Sequence, residues 1–104
     1  MKSVLIGTLV AAGLIVSGAA SAADANMELA QKSGCLACHA VDKKLVGPSY
    51  KDIAAKYKGD KGAEAKLTQK VLKGGSGAWG QIPMPPNNIP EPQAQQLVKW
   101  ILSM

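Results

Sequence analysis

Apolar positions repeat at helical spacing in four stretches of this chain. Met27, Leu29 and Ala30 follow Asp24, which can cap a first helix that stops at Gly34. Tyr50, Ile53, Ala54 and Tyr57 stand at i, i+3, i+4 and i+7, predicting a helix over 50–58 with Gly59 as its stop. Ala63, Leu67 and Val71 share a face from Ala63 to Lys73, where Gly74-Gly75-Ser76-Gly77 breaks the pattern. The longest stripe is Ala94, Leu97, Val98, Ile101 and Leu102, in a last helix running through residue 103. No stretch alternates with period two between hairpin turns, and nothing repeats internally. The pattern therefore predicts an all-α fold of about four helices.

Two stretches depart from this pattern. Residues 4–16 are an apolar run of Val, Leu, Ile, Ala and Gly behind Lys2, and Ala20-Ser21-Ala22 follows with small side chains. That is the layout of a cleaved secretory signal, residues 1–22, and the run is short of the roughly 20 residues an uncleaved membrane anchor needs. The expectation is export to the periplasm, with residues 23–104 as the mature domain and no membrane insertion after cleavage. The second stretch, Gly74 to Pro92, is long for a loop in so small a domain, and such loops are usually functional or disordered. Pro83, Pro85, Pro86, Pro90 and Pro92 favour a stiff, defined path here.

Composition sharpens the picture. A mature chain of about 80 residues buries too little surface to be comfortable alone, and domains of this size often recruit a cofactor, a metal or disulfides. With two Trp, two Tyr and no Phe, the protein-only core is thin. The chain carries 12 basic and 7 acidic residues, a net charge of +5, and every basic residue is lysine. The lysines are spread rather than massed and no nucleic-acid motif accompanies them, so most read as solvated surface and nucleic acid is not an expected partner.

Cys35-Leu36-Ala37-Cys38-His39 is a C-x-x-C-H sequence, the attachment signal of haem c. Two thiols at this spacing add to the two vinyl groups, and the next histidine falls under the iron. A thioredoxin-like pair would need a βαβ setting that is not predicted here. A zinc site would lack a fourth ligand, since the chain has no other His or Cys. A plain disulfide is the remaining alternative, and C-x-x-C loops are strained for it.

His39 is the only histidine, so a second axial ligand from this chain is sought among the methionines. Met27 lies too near the attachment segment and Met104 is the last residue. Met84, between Pro83 and Pro85, is restrained in a way that lowers the entropy lost on ligation. The competing reading of Met84 is a gap-filling core side chain. An internal cleft lined by His39 and Met84 is expected.

The blocks Gly34-Cys35-x-x-Cys38-His39-Ala40, Val46-Gly47-Pro48-x-Tyr50-Lys51-Asp52, Trp79-Gly80-x-Ile82-Pro83-Met84-Pro85-Pro86-Asn87 and Lys99-Trp100-Ile101-Leu102 resemble the small bacterial class I cytochromes c of the c-551/c-552 group. The resemblance covers essentially all of the mature chain. It implies a compact class I fold around one covalently bound haem, with His39 and Met84 as axial ligands. It also implies that the Pro48 carbonyl accepts the other ring N–H of His39, that Trp79 donates to a haem propionate, that Asn87 lies near the ligating sulfur and that Lys70 lies near a propionate. A packed core Trp79 and a solvated Lys70 are the plainer alternatives. One departure is Pro90-Glu91-Pro92, where relatives place a Ser or Asp cap, which leaves the start of the last helix open.

Iron held on both sides has no open position for substrate, so an electron carrier rather than an enzyme is expected. It would move single electrons from a quinol-oxidising donor to a terminal reductase or oxidase, docking transiently as a monomer. The exposed haem edge would be rimmed by Leu36, Leu45, Pro83 and Pro86 and ringed by lysines including Lys32, Lys43, Lys44 and Lys73. The alternatives are a haem protein with a displaceable Met84 that binds small ligands or peroxide, and a fixed subunit of a larger enzyme.

Overall fold

A computed structural model describes residues 22–104. The targeting segment expected over residues 1–22 lies, apart from Ala22, outside the described residues. Four α-helices follow one another: α1 (Ala22–Lys32), α2 (Tyr50–Lys56), α3 (Ala63–Lys73) and α4 (Glu91–Leu102), with a 3-10 turn at Cys35–Ala37 between the first two. Among the described residues the extended pairing amounts to two isolated bridges, His39 with Lys44 and Gly75 with Met84. The all-α expectation holds.

Local chemistry explains the element ends, and corrects three of them. α1 is already helical at Ala22, so Asp24 lies inside the helix instead of capping it. Alanines at 22, 23 and 25 are strong helix formers and carry the helix past the acid, whose charge still favours the N-terminal end of the dipole. α2 is capped by Ser49, whose hydroxyl accepts from the Asp52 N–H at 3.0 Å. It ends at Lys56 rather than 58, because Tyr57 to Gly59 form a turn in which Asp60 N–H donates back to the Tyr57 carbonyl. α3 has the bounds its apolar face predicts. α4 begins with Pro90 at its cap and Pro92 in its first turn, where the missing N–H has no intrahelical partner to lose. It ends at Leu102.

α4 is the central helix, packing most on α3 and then on α2 and α1. Its Ala94 and Val98 meet Val71 of α3, and Leu67, Leu72, Met84, Ile89 and Leu102 close round this cluster. A polar residue shares the core: Thr68 is buried, and its hydroxyl donates to the Glu64 carbonyl at 2.7 Å, so no donor is left unpaired. The crossing of α1 and α4 carries a half-buried bond from the Gln96 amide to the Asn26 side-chain oxygen, 2.9 Å long. Among the described residues nine hydrophobic ones are buried and four of these are alanines (Ala30, Ala54, Ala63 and Ala94), so the apolar area they remove from water is small. The core is thin, as its composition suggests.

Candidate functional site

The segment from Cys35 to Tyr50 builds one side of the site. The 3-10 turn brings the N–H groups of Cys38 and His39 onto the Cys35 carbonyl, at 3.2 and 3.0 Å. Both thiols thereby stand on one tight turn, half-buried and free. The Tyr50 hydroxyl lies within interaction range of the Cys35 sulfur and favours its thiolate form. Burial pushes the Cys35 thiol above its usual range, opposed in part by that interaction. Burial also pushes the Tyr50 hydroxyl well up, with the neighbouring thiol adding to it. Both groups are therefore neutral at ordinary pH.

His39 is held on three sides. Its Nδ1 lies 2.7 Å from the Pro48 carbonyl oxygen. A carbonyl only accepts, so this contact puts the ring proton on Nδ1 and leaves the lone pair on Nε2. The Tyr50 ring stacks on the imidazole at 5.4 Å, and Trp100 meets Tyr50 edge-on at 5.5 Å. The loop between is folded back by Gly47 N–H to the Cys38 carbonyl at 2.8 Å and Tyr50 N–H to the Ala40 carbonyl at 2.9 Å. This presses Gly47 onto the ring: a Cβ there would stand 2.6 Å from His39 Cε1. Gly47→Ala is accordingly expected to displace the imidazole and break its bond to Pro48. The cost is about 1–3 kcal/mol, typical of overpacking, read as a lowered denaturation midpoint together with loss of a protected ring N–H resonance.

The segment after α3 builds the other side. Gly75 and Met84 exchange two backbone bonds, of 2.9 and 2.8 Å. Gly74, at φ 73°, passes so close that a Cβ would strike the Met84 carbonyl. Asn87 ties the far side down: its backbone N–H and its side-chain amide each donate to the Val71 carbonyl at 3.0 Å, and the amide also reaches Pro85 O at 3.4 Å. The Met84 backbone is thus fixed from both directions. Lys70 reaches over this bridge, with Nζ 2.9 Å from where a Gly75 Cβ would lie. Trp79 does not pack in the core. It is 45% exposed, with the Lys56 ammonium 4.5 Å above its ring.

Two surface hollows lie elsewhere. One is lined by Asn26, Gln96, Lys99 and Trp100 among others, the second by Tyr57, Lys58 and Leu102 among others. Neither includes His39 or Met84, so the cleft expected between them is not one of these two. Met84 packs instead on the Val71–Ala94–Val98 cluster. Among the described residues no three His, Cys, Asp or Glu side chains come together as a metal site.

Two free thiols on one turn, followed at once by a histidine whose tautomer is already set, form a donor arrangement suited to a haem. The family model for cytochrome c matches residues 23–104.

The chain belongs to the cytochrome c family.

Cytochrome c-551 of Pseudomonas aeruginosa is 48% identical over 103 residues, covering 99% of this chain and 98% of its own length. Cytochrome c-552 of Nitrosomonas europaea is 48% identical over 105 residues, covering 100% of this chain and 99% of that protein. The crystal structure of the wild-type Nitrosomonas europaea cytochrome c552 superposes with a TM-score of 0.72 at 51% identity, over 74% of this chain and 96% of the other. This is a small class I cytochrome c of the c-551/c-552 group, with covalently attached haem c and the role of an electron carrier. The residues present fit that cofactor: the paired thiols, the oriented imidazole, a half-buried thioether and a core too thin to be the whole hydrophobic interior.

Sequence patterns pointed to His39 and Met84, and the resemblance to the Pro48 carbonyl and Asn87 beside them, but not to the other groups that aim the site. Tyr50 read as one apolar helix position, and Gly47 as part of a block without a role of its own. Lys56 gave no signal, since its bond to Ala78 spans 22 residues.

Proposed function

We propose that the chain is exported, loses residues 1–22, and works as a monomeric periplasmic carrier of single electrons. Cys35 and Cys38 hold the haem through two thioethers, and His39 and Met84 are its axial ligands. The observation that carries this reading is the 2.7 Å contact of His39 Nδ1 with Pro48 O, immediately after two free thiols, because it leaves Nε2 as the only basic nitrogen. The bound group supplies an iron that changes oxidation state while keeping both ligands.

The chain's own residues do the rest. Pro48, Gly47 and Tyr50 fix the imidazole, and the Gly75 bridge with Asn87 fixes the thioether, so little in the protein has to rearrange as charge changes. Trp79 and Lys70 supply a donor and a cation for the propionates. With both axial positions filled the iron has no open position for substrate, which supports reading the chain as a carrier rather than an enzyme. Absorption spectra of the purified, haem-loaded protein in both redox states test the ligand set. A six-coordinate His/Met spectrum supports it, and a high-spin spectrum refutes it.

Donor and acceptor, a quinol-oxidising complex and a terminal reductase or oxidase, would meet the haem edge. Leu45, Val46, Pro83 and Pro86 are exposed around it and Ile82 is 70% exposed, while Leu36 is half-buried. Lys43, Lys44 and Lys73 are exposed; Lys32 is too, but it spends part of its charge on Glu28 at 3.2 Å. Charge on such a rim speeds encounter more than it tightens binding. The second-order rate with an acidic partner should therefore fall as ionic strength rises from about 0.01 to 0.15 M, where the screening length shrinks from roughly 30 to 8 Å. A flat rate would mean that the apolar rim alone governs contact.

A further inference from the structure

We propose that Lys56 is a positioning residue: it clamps the tip of the loop that carries Met84 onto α2 and so limits how often that loop opens. Lys56 is the last residue of α2. Its ammonium donates to the Ala78 carbonyl at 2.8 Å and lies 4.5 Å above the Trp79 ring. Two weak contacts made by one cation at adjacent residues fix both the backbone and the indole of the tip.

The tip needs such a tether. Residues 75–84 fold as one arm, closed at its base by the Gly75–Met84 bridge and at its end by the Gly77 N–H to Gly80 O bond of 2.8 Å. From Ser76 to Pro83 every side chain is exposed, so burial does not hold this part down. Among the described residues, the Lys56 bond is the one hydrogen bond that joins residues 76–83 to another element. Among the same residues Lys56 makes no ion pair, and the ring of its neighbour Tyr57 is farther, at 5.9 Å, than that of Trp79, so its charge is directed chiefly at the carbonyl and the indole. Met84 sits at the base of the arm, and an arm that swings loads its bridge to Gly75. The clamp therefore acts on the thioether through the backbone, without touching it.

A cation over an indole and a charge-assisted bond to a carbonyl are together worth about five- to thirtyfold in an opening equilibrium. In the haem-loaded protein, Lys56→Met keeps the aliphatic stem and removes both contacts. Amide exchange at Gly77 and Met84 should then rise by about tenfold, while amides in the middle of α3 and α4 stay unchanged. Lys56→Arg restores a cation that can both stack and donate, and should return exchange to within about twofold of the original. In a Trp79→Leu background, Lys56→Met should add less than it does alone.

The second readout is the rate at which cyanide enters the oxidised protein at saturating concentration. It should rise with loop exchange in Lys56→Met and recover in Lys56→Arg. This arm rests on Met84 as an axial ligand, whereas the exchange arm does not. If cyanide enters the unmodified protein with no slow opening step, the ligand reading fails and exchange still decides the clamp. The clamp itself is overturned if Gly77 and Met84 exchange unchanged in Lys56→Met. It is equally overturned if Lys56→Arg loosens the arm as much, or if all amides rise together.

Discussion

Replacing Met84 by Ala should remove the near-infrared sulfur-to-iron charge-transfer band of the oxidised protein and lower its reduction potential. It should also let the reduced protein bind carbon monoxide rapidly. A His/Met pair holds the potential high, so losing the soft thioether shifts the balance toward the oxidised state. The fold should survive. Met84 is half-buried on the edge of the Val71–Ala94–Val98 cluster, and truncating it costs about 2 kcal/mol, the low end of the range for a core methionine. The backbone around it is held independently, by the Gly75 bridge and by Asn87 on Val71. The gap-filling reading predicts something different: the same loss of stability with an unchanged spectrum. If the unmodified protein already lacks the band and takes up carbon monoxide rapidly, a displaceable ligand replaces the carrier reading.

The parts of the fold legible in the sequence are those where one local signal dominates. α3 has its expected bounds because an apolar face runs between Gly62 and the Gly74-Gly75 break, and the last helix is set by five apolar positions at helical spacing. The C-x-x-C-H segment is likewise local chemistry. Errors arose where two signals compete. Asp24 looks like a cap, but the alanines before it favour helix and win. Thr68 adds nothing to the apolar pattern, yet it is buried, because bonding its hydroxyl to its own helix makes burial inexpensive. Apart from the Pro48 carbonyl and Asn87, which the resemblance implies, what aims the site is not local. Tyr50 bridges Cys35, His39 and Trp100, and Lys56 reaches Ala78, through contacts that no periodicity encodes.

The same thin core makes the cofactor part of the folding problem. Replacing Cys35 and Cys38 together by Ser should give a chain that carries no covalent haem and is largely unfolded, seen as loss of most of the far-ultraviolet helical signal. The argument is quantitative in outline. A domain of about 80 residues is marginal even with an ordinary core, and among the described residues four of the nine buried hydrophobic ones are alanines. Aromatic burial cannot compensate: Tyr50 is buried, Trp100 is half-buried and Trp79 is exposed. The two hydroxyls themselves are a minor perturbation, since serine is close to cysteine in size and the 3-10 turn is held by backbone bonds to the Cys35 carbonyl. Loss of structure would therefore report the missing group and not a local clash. Single replacements serve as the control, because one remaining thiol can still tether the group and should leave much of the helix content in place. A double variant that is fully helical and unfolds cooperatively without haem would show that the four helices suffice, and the thin-core argument for the cofactor would fall.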